Sequence, residues 1–206
     1  TFQGAQEQPR TAVRLGESRA APWVDRDGGP RGNGRIVATT EMAGIAAASD
    51  KIRYTYNERV YILPPDRVAP QVGDRFLTYR VGPEINGLGQ VMIPTGIVRI
   101  EEVYRGDNVA SVARIVAQYD MVMEGDGVMP LEPFHMDSTS RVAADDIGVT
   151  SRVVWIQGEP VLPSLQRYLV VDASSRDGVR IGDQLTLVRP TTEITGGVTL
   201  PEQEIA

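Results

Sequence analysis

From Gly34 onward the chain alternates apolar and polar residues over short stretches, the period-two pattern of half-buried strands. Arg35-Ile36-Val37-Ala38-Thr39, Arg59-Val60-Tyr61-Ile62-Leu63, Arg75-Phe76-Leu77-Thr78-Tyr79-Arg80 and Gly96-Ile97-Val98-Arg99-Ile100 are rich in β-branched and aromatic residues, and Val109–Tyr119 continues the pattern. One short helix is predicted at Ala43–Ser49. Strands separated by turns, without long amphipathic helices, predict an all-β barrel or sandwich rather than βαβ units. Residues 1–33 have no apolar period and end in a run of turn formers, Asp25 to Gly34. They are expected to form an extended arm. Within it, Trp23 and Val24 either clamp the arm onto its own domain or anchor a partner protein.

A second pattern is the recurrence of the first. Val72-Gly73-Asp74-Arg75-Phe76-Leu77-Thr78-Tyr79-Arg80 matches Ile181-Gly182-Asp183-Gln184-Leu185-Thr186-Leu187-Val188-Arg189. Upstream, Arg67 falls opposite Arg176, Val60–Ile62 opposite Leu169–Val171, and Gly34-Arg35-Ile36-Val37 opposite Ser151-Arg152-Val153-Val154. Downstream, Gly89–Pro94 aligns with Gly196–Pro201. The fold expectation is therefore mainly β, with two repeated small β-barrel or sandwich modules behind the arm. The arm covers 1–33, the first module 34–134, a linker 135–150 and the second module 151–206. The second module is expected to lack its closing strands, which a C-terminal extension or a partner chain would supply. Its last strand edge, with Val198, Leu200 and Ile205, is a candidate contact surface.

Composition narrows the chemistry. The 206 residues include no cysteine, one histidine (His135) and one lysine (Lys51) among 21 basic residues. Thiolate chemistry, sulfur-based metal sites and two-histidine metal sites are excluded. Any Ser–His–Asp triad would have to pass through His135, which lies in the segment read as a linker. A net charge of −6 with 6% aromatic residues argues against nucleic-acid binding. The longest small-apolar run, Ala43–Ala48, is far short of the ~20 residues of a membrane helix. Asp145-Asp146 and Glu124-Gly125-Asp126-Gly127 could offer calcium ligands but lack the alternating spacing of a calcium loop, so a solvated turn is the expected state. Met121, Met123 and Met129 are read as core filling or, alternatively, as an adaptable contact surface. Trp155 is read as core of the second module. No catalytic, cofactor or metal residue is assigned.

The run Ala21-Pro22-Trp23-Val24-Asp25-Arg26-Asp27-Gly28-Gly29-Pro30 followed by Gly34-Arg35-Ile36-Val37 resembles a group of bacterial envelope proteins described as LysM-domain-containing. Further likenesses are Ile93-Pro94-Thr95-Gly96, Val161–Gln166 and Asp172–Asp183. The resemblance implies an exported, periplasmic or otherwise extracytoplasmic protein. The LysM repeat is missing from these residues, so peptidoglycan would be reached only through a region outside this chain. The group occurs in a phylum with phototrophic members, which suggests an accessory subunit of a photosynthetic reaction-centre complex.

The expectation drawn from these observations is a non-catalytic scaffold or accessory subunit, peripheral to a membrane, binding protein subunits of a larger assembly. Trp23, Val24, Val198, Leu200 and Ile205 are its candidate partner-binding residues. The alternative is a peptidoglycan-associated protein in which these modules are spacers. A carboxylate-based envelope hydrolase ranks third.

Overall fold

The computed structural model describes residues 15–30, 32–40, 53–104, 106, 109–132, 148–158, 167–180, 183, 185–189, 192–194, 198–200 and 203–204. The helix expected at 43–49, the segment around His135, Asp145-Asp146 and Ile205 lie outside the described residues. The chain divides into two compact units. One spans Arg14–His135, and the described residues from 148 onward belong to the other.

The first unit is a closed, six-stranded antiparallel barrel. Its strands are β2 (Arg35–Thr39), β4 (Arg59–Leu63), β5 (Arg75–Ile85), β6 (Gly89–Glu102), β7 (Ser111–Gln118) and β9 (Gly127–Pro130). Around the barrel they run β6–β5–β9–β2–β4–β7 and return to β6. A short pair, β3 (Arg53–Tyr54) with β8 (Val122–Met123), lies outside this ring. The alternation in the sequence points one set of side chains inward. Ile36, Val60, Ile62, Phe76, Val98, Ile100, Ala113, Ile115 and Val128 form one core with Tyr54 and Val122, while Arg59 and Tyr61 of β4 face outward.

Closure rests on β6, the longest strand. It pairs with β5 along one edge, and along the other it pairs first with β1 (Trp23–Asp25) and then with β7. Register shifts at Thr78/Tyr79, Ile97/Val98 and Ile100/Glu102 let these long strands bend around the core. Successive residues Val91 and Met92 are both fully buried, so β6 is covered on both faces there. Part of that cover is the arm. Its described residues form a short helix, α1 (Leu15–Ala20), and strand β1, in which Trp23, Val24 and Asp25 pair with Met92, Val91 and Gln90. Through this pairing the described stretch of the arm is clamped onto its own barrel unit, one of the two states expected of it.

The second unit contains three described strand pairs: β10 (Val153–Ile156) with β11 (Leu169–Val171), β12 (Val188–Arg189) with β15 (Gln203–Glu204), and β13 (Thr192–Ile194) with β14 (Val198–Leu200). Several local geometries recur between the units. In β2–β4, Ile36 faces Ile62, a bulge follows, and Ala38 faces Tyr61. In β10–β11, Val153 faces Val171, a bulge follows, and Trp155 faces Val170. The next bond also recurs: Thr40 N donates to Arg59 O at 3.1 Å, and Gln157 N to Tyr168 O at 3.0 Å. Ile85 and Glu84 face Gly89 and Gln90 as Ile194 and Glu193 face Val198 and Thr199. This ladder aligns Gly89 with Val198, two residues beyond the Gly196 that sequence matching selects.

One turn recurs across both units. An acidic side chain accepts from the backbone N–H three residues earlier and returns its own N–H to that residue's carbonyl. It occurs at Thr55–Glu58, Gln71–Asp74, Met123–Asp126, Ser174–Asp177 and Arg180–Asp183. In the barrel the residue before the acid has positive φ: 71° at Asn57, 96° at Gly73 and 85° at Gly125. That conformation explains the Gly-Asp pairing in the sequence.

Candidate functional site

A concavity of about 720 Å³ in the barrel unit lies between the segment after β4 and the segment after β6. On one side, Pro64, Val68, Ala69, Pro70, Gln71 and Val72 form its wall. Three prolines, Pro64, Pro65 and Pro70, stiffen this segment, which turns at Asp66–Arg67 with Arg67 at a φ of 66°. Val68 N donates to Pro65 O at 3.1 Å, and the Asp74 turn stitches the far end to β6 through Gly73 N to Ile100 O and Ile100 N to Asp74 O, both 2.9 Å. Val103, Tyr104, Gly106 and Val109 form the opposite side. Val68 and Val103 also pack against the barrel core, so the groove wall is anchored to rigid structure.

The groove is apolar at its rim, and Gln71 and Ser111 bring polar side chains to its described lining. Val72 is 69% exposed, Tyr104 49% and Val109 38%. Apolar residues this open, gathered at one concavity, mark a contact surface more strongly than scattered ones. Ser111, the first residue of β7, also lines the groove. It is 1% exposed, and its Oγ has no hydrogen-bond partner. A buried hydroxyl without a partner costs about 1–3 kcal/mol.

Beside the groove, charged side chains of the barrel wall are tied to one another. Glu101 accepts from Arg114 Nε at 2.5 Å and Nη2 at 3.1 Å, and from Arg59 Nε at 3.0 Å. Arg59 also bonds Glu102, which accepts from the Tyr104 hydroxyl at 2.6 Å. The Arg114 bonds hold the Glu101 carboxyl below the usual carboxylate range, and the Tyr104 hydroxyl does the same for Glu102. Tyr104 is pushed up by donating to Glu102. The network fixes the Tyr104 ring at the groove edge and leaves its hydroxyl engaged.

The acidic turn at Glu124–Gly127 differs from its expected solvated state. Asp126 is 4% exposed and accepts from Met123 N at 3.0 Å and from Arg80 Nε at 3.3 Å. Burial pushes its carboxyl up, against the lowering effect of the Met123 N–H and Arg80. Gly127 follows because a Cβ there would stand 2.4 Å from the Tyr79 ring. Among the described residues, no three His, Cys, Asp or Glu side chains converge to hold a metal ion. Met121, Met123 and Met129 are only half-buried, and their neighbours Val122 and Val128 fill the core instead. Trp155 is also half-buried.

Of the residues selected from the sequence, Trp23 and Val24 sit in β1. The Trp23 ring meets Tyr79 edge-on at 6.4 Å. Val198 and Leu200 pair through their backbones with Ile194 and Thr192. The groove residues Val72, Tyr104, Val109 and Ser111 were not selected. A signal existed for two of them: Val72 and Val109 are branched apolar residues set among turn formers, where nothing in the local pattern buries them. Among the described residues no helix is long and apolar enough to cross a membrane. Comparison with family models, with curated proteins and with solved structures gives no match.

Proposed function

We propose that this chain is a non-catalytic scaffold or accessory subunit that docks onto a larger extracytoplasmic, membrane-associated assembly. The observation that carries the reading is the groove of the barrel unit, where Val72, Tyr104 and Val109 stand open around a 720 Å³ concavity. Two further features support it. The Arg59–Glu101–Arg114 network and the acidic turns spend their charged groups on holding backbone and strands in place. The recurrence of register, bulge and turn between the units supports two copies of one β module, an arrangement suited to presenting surfaces. The resemblance to LysM-containing envelope proteins supports the compartment, and a photosynthetic reaction-centre complex is the first assembly to examine.

The test is purification of the protein from detergent-solubilised membranes of its source. Recovery at fixed stoichiometry with a membrane complex, lost on Val72→Glu with Tyr104→Ala, is the expected result. Recovery of the wild-type chain alone, or hydrolysis of glycan or peptide by the pure chain that one carboxylate substitution abolishes without unfolding it, overturns the reading.

A further inference from the structure

The chain holds two Asn-Gly pairs, Asn33-Gly34 and Asn86-Gly87. Such a pair carries a latent reaction, because glycine has no Cβ to keep its backbone nitrogen away from the preceding side-chain amide. The two pairs share this chemistry and differ in setting. Asn86 and Gly87 lie at the tip of the β5–β6 hairpin, and both are exposed. The bond from Leu88 N to Ile85 O, 2.9 Å, makes them the two central residues of the turn, and Gly87 takes a φ of 78°. No described atom lies within 4 Å of the place a Gly87 Cβ would take. The arm's cover stops short of the tip: Asp25 pairs with Gln90, and a Cβ on Gly89 would clash with the Asp25 backbone. Nothing described therefore resists the rotation that brings Gly87 N onto Asn86 Cγ.

Asn33-Gly34 is held on several sides. Gly34 is buried, and a Cβ there would stand 2.7 Å from Val128 O and 2.8 Å from Pro65 N. The Gly34 carbonyl accepts from Val128 N at 3.0 Å, which ties it to β9. The Asn33 amide donates to Asp66 Oδ2 at 3.3 Å. The same rotation at this pair would have to open the junction of β2 with β9 first.

We infer that Asn86 is a site of spontaneous covalent modification in the folded protein, converted to aspartate and isoaspartate with water as the co-reactant. The Gly87 nitrogen gives up its proton to solvent and bonds to Asn86 Cγ. The Cγ–Nδ2 bond breaks, and ammonia leaves with a proton taken back from solvent, closing a succinimide ring. Water then adds to one of the two ring carbonyls. Opening at Cγ gives aspartate, and opening at the Asn86 backbone carbonyl gives isoaspartate, whose backbone runs through the side-chain carbon. Nothing is oxidised or reduced, and each event adds one negative charge at the hairpin tip. The site does not depend on the docking role proposed above.

The test incubates the folded full chain at mildly alkaline pH and follows each Asn-Gly peptide by mass spectrometry, after chromatography that separates the isoaspartyl form. Asn86 should convert at least about tenfold faster than Asn33, because the reaction at Asn33 waits on local opening. In urea the two should convert at comparable rates, which assigns the difference to the fold and not to neighbours in sequence. Asn86→Ser, at an exposed position, should keep the melting temperature and abolish the main acidic isoform that ion exchange resolves as the protein ages. Equal rates at the two sites in the folded chain overturn the inference, as does a folded-state rate at Asn86 far below its rate in urea. So does an acidic isoform that accumulates in Asn86→Ser as fast as in the wild-type chain.

Discussion

In the barrel hairpin β2–β4, Ile36, Val60 and Ile62 are sealed from solvent. At the matching registers of β10–β11, Val153, Leu169 and Val171 are half-buried or exposed, Val153 by 39%. The two hairpins nevertheless carry the same bulge at the same step of the ladder. Pairing and bulge are local properties, set by strand propensity and by the turn chemistry at each end. Burial is not local. In the barrel, β7 and β9 flank the hairpin and close the ring over its inner face, whereas among the described residues no further strand pairs with β10 or β11. Two hairpins with the same bulge thus differ in burial among the described residues.

The largest expected difference between the two follows directly. Ile36→Ala leaves a cavity in a closed core and should cost about 2–5 kcal/mol, whereas Val153→Ala should change stability by less than about 1 kcal/mol. Hydrogen exchange resolved by residue on the full chain reads both, since each unit reports through its own amides. Equal losses of protection in the two hairpins would show that β10–β11 is covered as well as β2–β4, and the contrast would collapse.

The acidic turns offer the next comparison. Asp126 and Asp183 make the same reciprocal bonds, but Asp126 also meets Arg80 in a buried setting. Asp126→Ala should cost about 1–3 kcal/mol because it strands the Met123 N–H and the Arg80 guanidinium, and Asp183→Ala about 0.5–1.5 kcal/mol. Urea unfolding followed by exchange at β9 and at β12 measures the two. A smaller cost at Asp126 than at Asp183 would mean that the guanidinium and the Met123 amide find other partners.

These contrasts also show what could be read from residues alone. Strands β2 and β4 are legible to their boundaries, because alternating β-branched residues bounded by turn formers leave few alternatives. The Gly-Asp turn at 73–74 is legible because the geometry needs positive φ and then an acceptor. The same turn at Thr55–Glu58, with Asn57 in place of glycine and glutamate in place of aspartate, escapes that reading. Asp126 was expected to be solvated, because nothing in Glu124-Gly125-Asp126-Gly127 reveals that Tyr79 and Arg80, over forty residues away, close over it. Whether the arm clamps onto its own domain or anchors a partner stayed open for the same reason: its partner strand, β6, lies more than sixty residues on. Ser111 is the hardest case. A serine at the head of a strand reads as a surface residue, whereas its hydroxyl is buried without a partner.

Titration should separate the turns by sign. Burial raises the Asp126 carboxyl, so between the ordinary carboxylate pKa and its folded value the native state holds a proton that the unfolded chain has released. Stability from this group therefore falls as pH rises through that window. Asp177 runs the other way: the Ser174 backbone N–H, then its hydroxyl, lowers its carboxyl. Its contribution is complete above the ordinary carboxylate pKa and is lost as pH falls toward its folded value. Carboxyl-carbon NMR titration should place Asp126 above the usual aspartate range and Asp177 below it. Coincident midpoints would show that the two turns sit in equivalent surroundings.

The smallest expected effect lies on the outer face of the barrel. Arg59 begins β4 and shares Glu101 with Arg114, while the matching position ahead of β11 is Tyr168. Among the described residues, this ion-pair network belongs to the barrel hairpin. Its pairs are partly exposed, so each is weak and screened by salt, the Debye length shrinking from about 10 Å at 0.1 M to about 3 Å at 1 M. Glu101→Gln should lower exchange protection across β4, β6 and β7 by about two- to fivefold at low salt and by less at 1 M NaCl. Protection in β10–β11 should be insensitive to both changes. If salt loosens the two hairpins equally, the network is not what distinguishes them, and the difference between the units reduces to the cover that β7 and β9 provide.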